Sequence, residues 1–145
     1  ATRLPAWNIH TIDPYVKRSE AEWDEAATSQ LGVQDPAMYA GLALANFKNV
    51  TRRIATSTTI AKDFPFPVSV LFVDGEHTRQ AVKSDLDAWL PKLTQQGIVF
   101  LHDAQVGNPF HTEVMLGAAS STLFAPPKWK QRYDLQAGSL AAFSR

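Results

Sequence analysis

The chain has 145 residues, with 14 basic and 14 acidic side chains, nine prolines and no cysteine. The absence of cysteine excludes a disulfide framework, a thiolate zinc site and a cysteine nucleophile. Zero net charge argues against a general polyanion binder, because contacts to nucleic-acid phosphates need an excess of lysine and arginine. Since no apolar stretch approaches the roughly 20 residues that span a bilayer, we expect a soluble, cytoplasmic protein that binds neither membrane nor nucleic acid.

The first half of the chain alternates strand and helix patterns. Residues 7–12 predict a short strand that ends at Asp13–Pro14, because the residue before a proline avoids the helical conformation. A helix over residues 19–31 follows, and a second helix begins at Asp35–Pro36, where a capping residue precedes a proline at the first helical position. Residues 50–55 predict the next strand.

The middle of the chain has the strongest pattern. Residues 68–73 form a nearly continuous apolar run, which predicts a central parallel strand that is buried on both faces. Apolar side chains then recur at helical spacing over residues 78–93, which predicts an amphipathic helix. Gly97 predicts a turn, and residues 98–101 predict another buried strand.

The last third begins with a helix signal at Asn108–Pro109, with Phe110 on the inner face of the helix. Residues 129–143 predict an antiparallel hairpin. The alternation of strands and helices indicates an α/β protein with a doubly wound, mostly parallel sheet, and we expect residues 1–145 to form one domain. Seven apolar side chains are expected to share one core: Val70, Phe72, Leu86, Trp89, Leu90, Val99 and Leu101.

Three of the predicted strands end in an acid, namely Asp13, Asp74 and Asp103. The carboxyl ends of parallel strands meet at one edge of the sheet, where ligands bind. Carboxylates there can accept hydrogen bonds from ribose hydroxyls or hold a divalent cation, although Asp also caps turns and helices at such positions. His77 follows Asp74 by three residues and His102 precedes Asp103, which gives two His/Asp pairs able to act as base or metal ligand.

The glycines exclude two common kinds of site. The chain has seven glycines, and the sequence separates neighbouring ones by nine residues or more. A G-x-G-x-x-G turn or a phosphate-binding P-loop therefore cannot be formed from them. The G-x-S-x-G motif of α/β-hydrolases is also absent.

Four segments together resemble the class I S-adenosylmethionine-dependent methyltransferases. Val70–Thr78 (VLFVDGEHT) is similar to the strand end with an IDG-x-H motif in one branch of that family, and Gly97–Asp103 (GIVFLHD) is similar to its HD strand end. Ile9–Pro14 resembles the second strand of the family, and Tyr133–Phe143 resembles its reversed final strand. The resemblance implies a Rossmann-like methyltransferase fold and S-adenosylmethionine as cofactor.

The resemblance also implies roles for individual residues on the cofactor side of the site. Asp13 would accept hydrogen bonds from the ribose of the cofactor. Thr56 and Ser57 would lie near the adenine. Asp74 would lie at the floor of the site, under the methionine moiety or on a metal.

On the acceptor side, the resemblance implies that His77 is a general base or a substrate contact. Some relatives bind Mg²⁺ through acids at these two strand ends, which correspond to Asp74 and Asp103, and His102 stands where some relatives have another acid. The expected metal ligands are therefore Asp74, His102 and Asp103. His77 and Asp103 are the expected catalytic pair.

In the family, a first strand and a glycine-rich turn precede the segment that corresponds to Ile9–Asp13. Only eight residues stand before Ile9, and none of them is glycine. We therefore expect this domain to be truncated at its N-terminus, with the first strand and its turn upstream. Because the missing strand is central in the family's sheet, we also expect a homo-oligomer or a partner that lends a strand.

Three functions are compatible with these residues. The leading hypothesis is methyl transfer from S-adenosylmethionine to an oxygen or nitrogen of a small molecule. The second is a metal-dependent hydrolase that uses Asp74, His77, His102 and Asp103 to activate water. The third is a non-catalytic remnant that keeps the fold without binding the cofactor.

Overall fold

The computed structural model of the chain describes residues 7–15, 36–124 and 128–145. The chain divides into two compact units, Ala1–Ile60 and Ala61–Arg145. The helix predicted over residues 19–31 lies outside the described residues, as does the capping residue Asp35. The prediction that the whole chain is one N-terminally truncated domain stays a prediction.

The first unit contains strand β1 (Ile9–Ile12), helix α1 (Pro36–Leu44) and strand β2 (Val50–Arg53). The two strands pair in parallel, with Ile9 opposite Val50. The Arg52 side chain donates a hydrogen bond to the carbonyl of Ala37 and so attaches α1 to β2. Both strands and the helix that begins at Pro36 confirm the sequence predictions.

The second unit carries the larger sheet. Its elements are helix α2 (Ser57–Asp63, which begins in the first unit), strand β3 (Val68–Val73), helix α3 (Arg79–Trp89), strand β4 (Leu93–Leu101), helix α4 (His111–Ser120) and strands β5 (Lys130–Gln131) and β6 (Ala141–Ser144). The strand order is β3-β4-β6-β5. Strands β3 and β4 are parallel, whereas β6 runs antiparallel to both of its neighbours. The predicted α/β fold with a closing antiparallel hairpin is confirmed.

The core of the second unit lies between one face of this sheet and helices α3 and α4. The hydroxyl of Thr78 accepts a hydrogen bond from the backbone N–H of Ala81 and starts α3. The buried cluster consists of Val73, Val82, Leu86, Leu90, Leu93, Val99, Leu101, Ala104, Val114, Ala118, Phe124, Trp129, Ala141 and Phe143. Four of the predicted core residues are in this cluster, and Trp89 is buried beside it against the ring of Phe64.

The prediction that β3 is buried on both faces is wrong. Val70 is 38% exposed and Phe72 is 52% exposed. Successive side chains of a strand point to opposite faces, so these two residues lie on the face away from Val73, which is in the core. Among the described strands, β3 is also at the edge of its sheet. An apolar run therefore does not by itself show that both faces of a strand are buried.

Gly97 lies inside β4 rather than in a turn, so this prediction is also wrong. The ladder between β3 and β4 is irregular, because Val68 pairs with Leu93 whereas Val70 pairs with Ile98. This bulge folds the Leu93 side chain over Gly97, where an added Cβ would lie 2.4 Å from the Leu93 Cγ. The glycine is required by this close approach, and the strand is longer than the predicted 98–101.

We predict that Trp89→Ala lowers the free energy of unfolding by about 3–5 kcal/mol, because it leaves a cavity beside Phe64. Chemical denaturation followed by circular dichroism measures the change. Gln80→Ala, an exposed change on the same helix, serves as the control and should shift stability by less than about 0.5 kcal/mol. A loss below about 1 kcal/mol for Trp89→Ala would contradict the observed packing.

Helices α3 and α4 approach closely at Gly117. A Cβ at this position would lie 2.8 Å from the carbonyl oxygen of Arg79 and 2.8 Å from the Cβ of Val82. We predict that Gly117→Ala destabilises the protein by about 1–3 kcal/mol through this clash, whereas the exposed change Ala119→Ser is nearly neutral. Thermal unfolding measures both variants. Stabilisation by Gly117→Ala, as helix propensity alone would favour, would contradict the close packing.

Candidate active site

The register between β3 and β4 sets the position of the candidate site. Val73 is paired with Leu101, and the backbone N–H of His102 donates to the carbonyl of Val73 at 3.0 Å. The two parallel strands therefore end at the same level. Asp74 follows Val73 and His102 follows Leu101, so the loops after the two strands start next to each other.

Two carboxylates and two imidazoles converge at these strand ends. His102 Nδ1 lies 2.9 Å from Asp74 Oδ1 and 3.3 Å from Asp103 Oδ1. His77 Nε2 lies 3.5 Å from Asp74 Oδ1 and 3.4 Å from Asp103 Oδ2. We call these four residues the His/Asp cluster. Each carboxylate contacts both rings, so the predicted convergence of Asp74 and Asp103 on one site is confirmed as geometry.

Asp103 is held in an uncommon backbone conformation. Its φ is 53°, in the left-handed region that side chains with a Cβ rarely adopt. Its side chain is largely buried, and Asp103 Oδ1 accepts a hydrogen bond from Asn108 Nδ2 at 2.8 Å. The amide oxygen of Asn108 in turn accepts from the backbone N–H of Phe110. Strain of this kind is concentrated at functional sites, and here it turns the Asp103 carboxylate toward the imidazoles.

Each imidazole of the cluster is held by a residue from another part of the second unit. His102 Nε2 lies 3.0 Å from the hydroxyl of Ser139, and the carbonyl of Ser139 accepts a hydrogen bond from the backbone N–H of Ala104. The ring of His77 stacks on the ring of Phe110, with centroids 4.9 Å apart. Phe110 is 48% exposed, so it lies beside the cluster and not on the inner face of α4 as predicted.

Three residues that hold the cluster were not among the site residues predicted from the sequence: Asn108, Phe110 and Ser139. Asn108–Pro109 predicts a helix start, whereas α4 begins at His111 and its N-cap, Phe110, makes no side-chain cap hydrogen bond. The short separation of Asn108 from the strand-end acid Asp103 is the signal that could have indicated their contact. No signal in the sequence indicates Ser139, because it reaches the cluster through the antiparallel return of the chain.

The cluster contains two buried nitrogen atoms that make no hydrogen bond to any described residue, His77 Nε2 and His102 Nδ1. Both lie within 3.5 Å of carboxylate oxygens, yet none of these contacts has the geometry of a hydrogen bond. In addition, one potential ligand atom each from Asp74, His77 and His102 lies within 4.8 Å of the other two. Asp103 contacts both imidazoles but is not part of this mutually close group.

The predicted cofactor-side residues lie at strand ends in or next to the first unit. Asp13 follows β1, is exposed, and accepts a hydrogen bond at Oδ1 from the backbone N–H of Tyr15 at 2.6 Å. Thr56 precedes α2, and its hydroxyl accepts from the backbone N–H of Thr59 and contacts the hydroxyl of the same residue. Ser57 is the first residue of α2. Thr56 thus caps a helix, and the cofactor contacts of all three stay predictions.

Across the described ranges, none of the helices combines the length and the apolar character that a membrane crossing requires.

Comparison with known proteins gives the family and the fold. A family model described as a methyltransferase domain matches residues 3–104, which is more than half of the chain. The structure of CalS11, a TDP-rhamnose 3′-O-methyltransferase of calicheamicin biosynthesis, matches with a TM-score of 0.62 at 14% identity. The match covers 94% of this chain and 58% of CalS11, so the chain spans little more than half the length of that enzyme.

Two further relatives are informative. SMU.1697c from Streptococcus mutans, described as a candidate methyltransferase and solved in complex with SAH, matches with a TM-score of 0.53 at 15% identity, over 94% of this chain and 88% of that chain. The uncharacterized protein y4gI of Sinorhizobium fredii is 44% identical over 39 residues, which are 27% of this chain and 4% of that protein. The family model covers most of the chain and the two structures share its fold, so the chain belongs to the methyltransferase-domain family, among the class I S-adenosylmethionine-dependent methyltransferases.

Proposed function

We propose that the protein transfers a methyl group from S-adenosylmethionine to an oxygen or nitrogen atom of a small molecule. The observation that carries this proposal is the His/Asp cluster, which lies at the carboxyl ends of two adjacent parallel strands in a member of a methyltransferase family. Ligands of open α/β sheets bind at these ends. Family membership also favours methyl transfer over a metal-dependent hydrolase built from the same four residues.

The reaction needs positioning and one proton acceptor. A lone pair of the acceptor atom attacks the methyl carbon in line with the carbon–sulfur bond, and that bond breaks as the new bond to carbon forms. The sulfur keeps the electron pair and leaves as S-adenosylhomocysteine, while the proton of the acceptor passes to a base. His77 and Asp103 are the proposed bases, because both belong to the cluster and are held by other residues. Orientation of the acceptor atom and general-base catalysis would together accelerate the methyl transfer.

The surroundings of the cluster support a small organic acceptor. Phe72 and Phe110 are about half exposed, and their rings lie beside those of His102 and His77 respectively. They offer apolar surface next to polar, proton-accepting groups, the usual composition of a small-molecule site. CalS11, which shares the fold, is named as a TDP-rhamnose 3′-O-methyltransferase.

On the cofactor side, we propose that Asp13 accepts hydrogen bonds from the ribose and that Thr56 and Ser57 lie near the adenine. Asp74 is proposed to lie under the methionine moiety. The exposed carboxylate of Asp13 at the end of β1 supports the first assignment. The SAH complex of SMU.1697c supports a cofactor of this class for the fold.

We also propose that residues 1–145 hold only part of the cofactor site. Among the described strands, β3 pairs only with β4, so its other edge is without a ladder partner. The exposed side chains of Val70 and Phe72 are on the same strand. A further strand with a glycine-rich turn would cover this edge and supply backbone groups to the cofactor. Self-association or a borrowed strand is the other way to cover it.

We predict that the full-length protein, incubated with methyl-labelled S-adenosylmethionine and a small-molecule extract, produces a labelled small molecule that mass spectrometry detects. Asp103→Asn and His77→Gln should each reduce its rate of formation by about 10²–10⁴-fold if that residue is the base. His111→Gln, a change of the same type outside the cluster, should keep the wild-type rate. Label found only in macromolecules, or unchanged rates in both cluster variants, would contradict the proposal.

We predict that Asp13→Ala weakens binding of S-adenosylhomocysteine by the full-length protein roughly 10–100-fold, since hydrogen bonds to a charged group contribute about 1.5–3 kcal/mol. Isothermal titration calorimetry measures the affinity, and Asp134→Ala is the control. Residues 1–145 alone should bind weakly. Micromolar binding by residues 1–145 that Asp13→Ala abolishes would show that they hold the whole site. No binding by the full-length protein would identify a non-catalytic family member.

A further inference from the structure

We propose that Asp74, His77 and His102 hold one divalent transition-metal ion, and that this site discriminates against Mg²⁺. The proposal concerns the same cluster as the proposed function, but its test needs neither cofactor nor acceptor. The two can therefore fail separately. The proposed ligand set differs from the expected set of Asp74, His102 and Asp103, because the imidazole of His77 replaces the carboxylate of Asp103.

Two ring nitrogens of the cluster have the surroundings of metal ligands. His77 Nε2 and His102 Nδ1 are buried, lie within 3.5 Å of carboxylate oxygens, and nevertheless make no hydrogen bond to any described residue. If these contacts were ion pairs of protonated imidazoles, each ring N–H would point at an oxygen. Nitrogen and oxygen atoms that converge outside hydrogen-bond geometry are instead arranged as the ligands of a cation.

One neutral tautomer of His102 places a lone pair inside the cluster. Its Nε2 lies 3.0 Å from the hydroxyl of Ser139. A neutral ring that donates from Nε2 to Ser139 has its lone pair on Nδ1, the nitrogen that faces Asp74. Histidines that bind metals are commonly fixed in this way, with the second ring nitrogen donating to a neighbouring group.

The charge of the cluster also favours a bound cation. Asp74 and Asp103 bring two carboxylates to the cluster, and no lysine or arginine in the described part of the chain pairs with either of them. Asp103 is buried, and a buried charge without compensation is costly. One divalent cation would balance both carboxylates and leave the two imidazoles neutral. Its positive charge would also favour loss of a proton from a nearby acceptor.

The donor set determines which ion fits. Mg²⁺ prefers oxygen ligands in octahedral geometry, and two of the three converging atoms are imidazole nitrogens. Two imidazoles and one carboxylate suit Zn²⁺, Fe²⁺, Co²⁺ or Ni²⁺. The residues present therefore do not fit the expected Mg²⁺. With His77 on the ion, Asp103 is the remaining proposed base.

To test the proposal, the untagged protein is treated with EDTA and desalted, and its binding of metal ions is then measured. Calorimetry should show one equivalent of Zn²⁺ or Co²⁺ bound, with Mg²⁺ at least about 100-fold weaker. His77→Gln, His102→Gln and Asp74→Asn should each weaken Zn²⁺ binding by more than about 10-fold, and Ser139→Ala should weaken it by about 10–100-fold. His111→Gln keeps two imidazoles in the cluster and should bind as the wild type does.

A second measurement does not depend on the folding of any variant. The protein has four histidines, and Zn²⁺ should shift the imidazole ¹⁵N resonances of two of them in the wild type. Binding of Mg²⁺ as tight as that of Zn²⁺, no binding of either transition metal, or no shifted histidine resonance would overturn the proposal. Wild-type affinity in a folded His77→Gln or His102→Gln variant would overturn the ligand set.

Discussion

The parallel pairing of β3 with β4 is the interaction on which the candidate site depends. Because Val73 is opposite Leu101, the residues that follow the two strands leave the sheet at the same level and on neighbouring paths. A shift of one strand by one residue would turn every side chain of that strand to the other face of the sheet. The register is fixed by burial, since Val73, Val99 and Leu101 all belong to the core beneath helices α3 and α4.

The site is held by contacts that span the second unit. Asn108 fixes the strained loop at Asp103, Ser139 from the closing hairpin reaches His102, and Phe110 stacks on His77. The positive φ of Asp103 has an energetic cost that the surrounding contacts offset. The hairpin thus contributes Ser139 to the site and also forms one edge of the described sheet. Changes there are expected to act on His102 through the Ser139 hydroxyl.

Much of this arrangement could be predicted from the sequence, because an apolar strand followed by a polar residue is a local pattern. Asp74 and His102 were recognised in this way, and parallel pairing was enough to bring them together. The exposure of Val70 and Phe72 could not be predicted, because it depends on what covers β3 and not on the strand itself. Ser139 could not be predicted either, since its contact joins residues 37 positions apart in the chain.

The most direct test of the central claim, that the His/Asp cluster is the reaction centre of a methyltransferase, is a crystal structure of the full-length protein with S-adenosylhomocysteine. We predict that the cofactor sulfur faces the cluster. An acceptor atom about 3–3.5 Å from the position of the transferred methyl carbon would then be within reach of His77 or Asp103. Cofactor bound with its sulfur directed away from the cluster would contradict the account.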